Sequence, residues 1–178
     1  RAGDVVAMRS GLVERVKRVD AEAINAGDVR GEFLDFDGER YYAIRHVDRM
    51  PPFFMSVISS ADHWLFVSST GGLTAGRVSP EHALFPYAPV DRVHESAPHT
   101  GSKTIFRVFE GSARQYWEPF NREHDGRYAL SRNLYKNVLG NKLCFEEVNH
   151  DLELTFRYTW MTSDRFGFVR QCELVNHG

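Results

Sequence analysis

The chain has 178 residues, of which 42% are hydrophobic and 26% are charged, a composition that is typical of one globular domain and excludes a largely disordered chain. The 22 Lys and Arg residues and the 24 Asp and Glu residues give a formal net charge of −2, and no apolar run approaches the roughly 18 residues of a membrane span. We therefore expect neither nucleic acid, whose binders usually carry a basic excess, nor a membrane as a partner.

The first thirty residues have weak patterning and begin with Arg1 rather than Met. Residues 11–19 fit a helix or a strand, and residues 21–26 fit a helical turn. We therefore expect an N-terminal arm or linker over residues 1–30, followed by one domain over residues 31–178. Because both ends of the sequence look cut, we also expect a fragment of a longer protein.

From residue 31 onward, the sequence alternates short strands with turns. GEFLDF and ERYYAI, joined by Asp37-Gly38, predict a hairpin, since Asp-Gly suits a tight turn whose central residues take positive φ. FFMSVIS (53–59) predicts a buried apolar strand, HWLFVSS (63–69) a second strand and LTAGRV (73–78) a third. Three short strands joined by tight turns form a meander.

A loop-like segment with four prolines covers residues 79–102. A loop of this length in a compact domain often covers a neighbouring element or has a functional role. Strand character returns in KTIFRVF (103–109) and RQYW (114–117), and NREHDG (121–126) predicts a turn.

The clearest pattern lies near the C-terminus, where LCFEEV (143–148) and LELTFRYTW (152–160) predict a hairpin and FVRQCELV (168–175) a further strand. Apolar and polar residues alternate strictly over 152–160, which predicts one buried and one wetter face. Many short strands without regular helices predict an all-β fold, an antiparallel β-sandwich.

Two cysteines, Cys144 and Cys172, are too few for a disulfide scaffold or a cysteine-rich zinc site. Free thiols in a cytoplasmic protein are the expectation, although the sequence leaves a single bridge between the two open. The eight histidines, including His82, His94 and His99 in one loop, form no HxH or HExxH pair, so we expect no metal site and no cofactor.

Motifs for bond-breaking chemistry are not evident in the sequence. There is no G-x-S-x-G elbow and no glycine-rich phosphate motif. Glu146 and Glu147 are neighbours on one predicted strand, so their side chains point to opposite faces and cannot flank one glycosidic bond. We therefore single out no catalytic residue from these motifs.

Residues that suit carbohydrate recognition occur in two segments. Sugars stack their C–H faces on aromatic rings, and their hydroxyls pair with polar side chains. The candidate carbohydrate-binding residues are His63, Trp64, Arg77, His82, Trp117 and Glu118. Core packing is the favoured alternative for the two tryptophans, because both flank apolar strands.

Four segments occur in a familiar order: HWLFVSSTGGLTAGR, then SARQYWEPF with Trp117-Glu118-Pro119, then RNLYKNVLGNKLCFEEVNHDLELTFRYTW, then GFVRQCELVNHG. This order resembles the N-terminal domain of cellobiose phosphorylase-like enzymes, a group that includes chitobiose phosphorylases and the phosphorylase-like part of cyclic β-glucan synthases. The resemblance spans about residues 40–178. The family's Gly-Gly-Gly-Tyr-Ser turn is Gly71-Gly72-Leu73-Thr74 here.

The resemblance implies a β-sandwich of the supersandwich, galactose mutarotase-like type, truncated here partway through. In the family this sandwich precedes an (α/α) barrel that carries the catalytic acid and the phosphate-binding residues. The chain would then be a non-catalytic domain of a glycoside phosphorylase or hydrolase that packs on the downstream barrel and shapes the sugar cleft. Its implied partners are an oligosaccharide or sugar phosphate, that barrel and a second copy in a homodimer.

An autonomous sugar-binding or mutarotase-like (epimerase-like) protein is the alternative. It requires a concave sheet face on which histidine and glutamate surround one pocket, with His63, His82 and Glu118 as candidates. The enzyme-domain hypothesis instead predicts an exposed apolar patch for the barrel and no cluster of perturbed carboxylates or histidines.

Overall fold

The computed structural model describes residues 27–36, 38–85, 87–89 and 91–178. Of the predicted arm over residues 1–30, residues 1–26 lie outside the described residues, and so do the predictions for 11–19 and 21–26. The described part of the chain is all-β with antiparallel sheets, as the sequence predicts. Its helical segments are four short 3-10 turns: Val47–Arg49, Pro80–His82, Val93–Ser96 and Arg122–His124.

One layer of the fold is a six-stranded sheet with the order β1-β2-β8-β9-β10-β11. Its strands are β1 (Arg30–Phe36), β2 (Glu39–Arg45), β8 (Leu130–Asn137), β9 (Lys142–Asn149), β10 (Leu154–Ser163) and β11 (Gly167–Asn176). The predicted β1–β2 hairpin is confirmed, and Gly38 takes φ 76° in its turn, a conformation that only glycine adopts readily. The predicted pairing of β9 with β10 is confirmed as well.

The other layer consists of a three-stranded sheet and a hairpin. The sheet is the predicted meander of β3 (Phe54–Ser56), β4 (His63–Ser68) and β5 (Leu73–Arg77), and the hairpin pairs β6 (Phe106–Glu110) with β7 (Ala113–Trp117). The inward side chains of this layer and one face of the large sheet form a single apolar cluster, so the arrangement is consistent with a β-sandwich. Its buried members include Leu65, Val67, Leu73, Ala75, Trp117, Leu134, Leu143, Phe145, Phe156 and Tyr158.

Two strand predictions need correction. The strand expected to be buried over 53–59 is only three residues long, and Phe54 is 49% exposed because β3 is the edge of its sheet. The central strand β8 was not predicted at all. Its sequence, LSRNLYKN, mixes polar with apolar residues on both faces, so the period-2 signal is weak.

The expectation of a wetter second face is wrong for Thr155 and Arg157 of β10, whereas Glu153, just before the strand, is exposed. Thr155 and Arg157 are 2% and 6% exposed, which makes them as buried as the apolar residues that alternate with them. Arg157 lies between two carboxylates, Glu146 and Glu173, and Thr155 Oγ1 lies 2.9 Å from His177 Nε2. The alternation therefore separates an apolar face from a buried, hydrogen-bonded polar face.

The long loop over 79–102 packs against the β4–β5 turn. Val93 is buried, and the Thr100 hydroxyl accepts a hydrogen bond from the Leu73 amide at 3.0 Å. Gly72 lies so close to the Val93 carbonyl oxygen that a Cβ there would collide with backbone. The loop thus covers the end of the meander, one of the two roles its length suggested.

Candidate functional site

A cleft of about 390 Å³ lies between the meander and the β10–β11 hairpin. We call it the main cleft. Its floor consists of Leu65, Leu73 and Ala75, which face the large sheet. Leu84, Gly167, four aromatic rings and four polar side chains complete the lining; the rings and polar side chains are Phe85, Trp160, Phe166, Phe168, His63, Arg77, Asp164 and Arg165.

Two of the six predicted site residues, His63 and Arg77, meet in the main cleft. They are directly opposite one another in the β4–β5 register, so their side chains share the face that carries Leu65 and Ala75. The His63 ring packs edge-on to Phe168 with 5.7 Å between centroids. Its Nδ1 atom is buried and has no hydrogen-bond partner among the described residues, which leaves a polar group beside the cleft unsatisfied.

The backbone after Arg77 is strained. Val78 has φ 60°, a left-handed conformation that is rare for a β-branched residue, and the Ser79 amide donates to the Arg77 carbonyl at 2.6 Å across it. The Val78 amide is fixed by the Asp62 carbonyl at 2.8 Å. Strain of this kind often accumulates at functional sites, and here it sets the direction in which the chain leaves Arg77 at the rim of the cleft.

Trp64 lies on the opposite face of the meander. It faces Gly76 across the β4–β5 ladder, and its ring occupies the space where a Cβ of residue 76 would lie. Tyr87 packs edge-on to the same ring at 6.1 Å. His82 is exposed on the 3-10 turn Pro80–His82, with Nδ1 3.1 Å from Ser79 Oγ. Neither Trp64 nor His82 lines the main cleft.

Substitution of Gly76 tests this packing. A Cβ at residue 76 would lie 2.5 Å from the Trp64 ring and 2.7 Å from the His82 carbonyl, so we expect Gly76→Ala to destabilise the fold by up to about 3 kcal/mol and to alter the near-UV circular dichroism of the tryptophans. Gly111→Ala is the control for the near-UV spectrum, since no atom of the described residues lies within 4 Å of its Cβ position and only its positive φ adds strain. An unchanged near-UV spectrum for Gly76→Ala would contradict the contact.

Trp117 and Glu118 lie away from the main cleft. Trp117 is fully buried, and its Nε1 donates to Glu147 Oε1 at 2.8 Å, so the core interpretation of this ring is the correct one. Glu118 accepts a hydrogen bond from Asn121 Nδ2 at 3.1 Å. The trio His63, His82 and Glu118, which the mutarotase-like alternative requires around one pocket, does not line the main cleft together.

Glu147 anchors the β6–β7 hairpin to the large sheet. Its carboxylate is fully buried and accepts from Trp117 Nε1, from the Phe120 amide at 2.7 Å and from Arg132 Nε at 2.6 Å. Arg132 in turn pairs with Asp125 at 2.8 Å. A carboxylate that accepts from three donors on different segments serves as a structural link.

Glu146 belongs to a separate network on the other face of the same sheet. Its oxygens accept from the Tyr135 hydroxyl at 2.6 Å, from Asn133 Nδ2 at 2.8 Å and from Arg157 Nε at 2.5 Å. Burial alone would raise the pKa of Glu146, but Arg157 and these hydrogen bonds lower it below its ordinary value. The enzyme-domain hypothesis predicts no cluster of perturbed carboxylates, and Glu146 differs from a catalytic acid because its oxygens already accept hydrogen bonds from protein donors.

The two cysteines are free in the structure. Cys144 is buried on β9, and burial raises the pKa of its thiol to about 12, whereas Cys172 is exposed on β11. The single bridge that the sequence left open is not formed. Cys144 is therefore a packing residue rather than a nucleophile.

Chemically, the main cleft suits binding better than bond cleavage. Its aromatic rings provide faces for sugar C–H groups, and His63, Arg77, Asp164 and Arg165 provide donors and acceptors. Glycoside hydrolysis needs two carboxyl groups about 5–9.5 Å apart. Among the described residues that line the cleft, Asp164 is the single acid, and it accepts from Ser60 Oγ at 2.8 Å.

Sequence reasoning missed most of this lining. The period-2 alternation predicts that Trp160 lies on the buried face of its strand. No feature of the local sequence distinguishes a tryptophan in the core from one that lines a cleft. Asp164, Arg165 and Phe166 form the β10–β11 turn, where a polar pair beside an aromatic residue is an unspecific signal.

No protein-family model matches the chain, and no curated protein matches it. Within the described residues, no group of three or more histidine, cysteine, aspartate and glutamate side chains could hold a metal ion. The same part of the chain has no helix with the length and apolar character needed to span a bilayer.

Proposed function

We propose that the chain is a non-catalytic, carbohydrate-binding β-sandwich domain of a larger glycoside phosphorylase- or hydrolase-like enzyme. The observation that supports this most is the main cleft, in which Trp160, Phe166 and Phe168 lie beside His63 and Arg77. Aromatic faces next to a few convergent polar groups are what a saccharide requires, since each sugar ring has apolar C–H faces and a polar rim.

The proposal that the chain is one domain of a larger enzyme has two supports. One is the resemblance of its segment order to the phosphorylase-like enzymes, and the other is an exposed apolar surface at one end of the sandwich. Ile58, Val138 and Leu139 are each more than half exposed, and the Ile58 amide donates to Gly140 O at 2.9 Å, which places the three near one another. Exposed apolar side chains that cluster are typical of a surface that packs on another domain. We propose that an (α/α) barrel occupies it, with the main cleft forming one wall of the sugar site.

Substitution of Trp160 is the test of carbohydrate binding. We expect the chain to bind cellobiose or chitobiose in saturation-transfer NMR, and Trp160→Ala to lower the affinity by about 2 kcal/mol because a stacking ring is lost. Trp64→Ala is a matched control, since Trp64 is also half-buried but lies on the other face of the meander. Binding that is lost equally in both variants, or absent in the unmodified chain, would contradict the proposal.

Polarimetry separates the proposal from the mutarotase-like alternative. The residues His63, His82 and Glu118 do not share the main cleft, so we expect the chain to leave the rate of anomer equilibration of glucose unchanged. An acceleration that disappears in His63→Ala would favour the autonomous enzyme instead.

A further inference from the structure

A second, smaller cavity of about 50 Å³ opens beside the main cleft. We call it the side cavity. Leu73 and Trp160 line both spaces, so the two adjoin at these side chains. The side cavity is bounded on its other sides by the segment 100–104 and by Arg170 of β11.

The side cavity has two cations and no described acidic residue in its lining. Lys103 Nζ donates to the Ala97 carbonyl at 3.2 Å, and neither Lys103 nor Arg170 forms an ion pair with a described residue. The main cleft differs, because Asp164 lies there beside Arg77 and Arg165. An uncompensated pair of positive charges in a concave site attracts anions.

The fold holds Arg170 in a defined position. Arg170 faces Trp160 across the β10–β11 ladder, and its guanidinium carbon lies 4.3 Å from the centroid of the buried Tyr158 ring. Its one hydrogen bond to a described residue goes from Nη1 to Cys172 Sγ at 3.0 Å. The guanidinium therefore retains donors for a ligand, in the planar geometry that suits two oxygens of one oxyanion.

The hydroxyl groups and the volume of the side cavity also suit a small oxyanion. Ser102 and Thr104 line the side cavity, and their hydroxyls form no hydrogen bond with a described residue. The side cavity is small, about 50 Å³, as a site for a single phosphoryl or sulfate group would be.

We propose that the side cavity binds a tetrahedral oxyanion, a phosphoryl or sulfate group, carried by the saccharide that lies in the main cleft. Lys103 and Arg170 neutralise its charge, and Trp160 stacks on the adjoining sugar ring. This inference rests on the proposed carbohydrate-binding function and narrows its ligand to an anionic sugar.

Calorimetric titration of the chain with glucose, glucose 6-phosphate, glucose 6-sulfate and inorganic phosphate tests the proposal. We expect both anionic sugars to bind at least about tenfold more tightly than glucose, because hydrogen bonds to charged groups contribute more than neutral ones. Lys103→Met and Arg170→Lys should each remove much of this advantage without changing the affinity for glucose. Lys103 is exposed, so its variant keeps the test valid even if changes at Arg170 disturb folding.

Arg127→Met is the matched control, since Arg127 is exposed and stacks on Tyr128 at 5.4 Å but lies outside both spaces. Equal affinities for glucose and both anionic sugars would overturn the inference, as would an advantage that survives in Lys103→Met and Arg170→Lys. If inorganic phosphate binds through Lys103 and Arg170 while no sugar contributes affinity, the anion site stands and the proposed carbohydrate function fails.

Discussion

Replacement of Glu147 by glutamine is expected to destabilise the chain by about 3–5 kcal/mol, measured by urea unfolding at pH 7. The carboxylate is fully buried and accepts from Trp117, the Phe120 amide and Arg132. A glutamine amide would turn an N–H group toward one of these donors. It would also leave the 9%-exposed side chain of Arg132 with Asp125 as its one remaining ion-pair partner among the described residues. The β6–β7 hairpin would then lose its link to the large sheet.

Glu95→Gln is the control for Glu147→Gln, because it breaks an ion pair that is exposed to solvent. Arg92 and Glu95 are 3.1 Å apart, but their side chains are 67% and 53% exposed, so we expect a change of at most about 1 kcal/mol. If Glu147→Gln does not fold, Trp117→Phe removes one donor and should cost about 1–3 kcal/mol. A cost for Glu147→Gln as small as that for Glu95→Gln would show that the buried carboxylate does not hold the two layers together.

Local sequence signals were sufficient for the elements whose partners are close along the chain. Asp37-Gly38 predicts the β1–β2 turn through the φ that Gly38 needs, and the pattern around Gly71-Gly72 predicts the β4–β5 pair. The strand β8 was missed because its register depends on β2, about ninety residues earlier in the chain, and because its polar residues fit the sheet through hydrogen bonds to both neighbouring strands, such as Tyr135 with Arg45 of β2 and Asn133 with Glu146 of β9.

The polar face of β10 shows why burial was harder to predict than strand position. The alternation correctly predicted that Thr155 and Arg157 share a face, whereas Glu153 precedes β10 in a left-handed conformation (φ 52°) and lies outside the strand. It could not show that Arg157 would be compensated by Glu146 and Glu173, since a charged residue is expected to be exposed unless a partner is known.

The candidate site was predictable only in part for the same reason. His63 and Arg77 are close in sequence and were both singled out, and a single hairpin register brings them together. Trp160, Phe168 and Arg170 reach the meander only when the two layers pack, and no spacing along the chain encodes that contact. Long-range packing, rather than strand propensity, decides which aromatic rings line the cleft.

Arg157→Met is expected to be as damaging at neutral pH as the loss of Glu147. The Glu146 carboxylate is 4% exposed, and without Arg157 Nε at 2.5 Å its charge would be buried with only partial compensation, at a cost of about 3–5 kcal/mol at pH 7. The double variant Glu146→Gln with Arg157→Met should recover part of this loss, because neither charge then remains. Urea unfolding of the three variants measures the coupling directly.

The free energy of unfolding is expected to depend on pH differently in the unmodified chain and in Arg157→Met. In the unmodified chain the pKa of Glu146 lies below its ordinary value of 4.5, so the stability it contributes is present above that pH and is lost as the pH falls through the folded-state pKa. In Arg157→Met, burial should instead raise the pKa of Glu146, so protonation relieves the unpaired charge. The difference in stability between the two chains should therefore shrink as the pH is lowered from 7 toward 4, and a difference that grows over this range would contradict the ion pair.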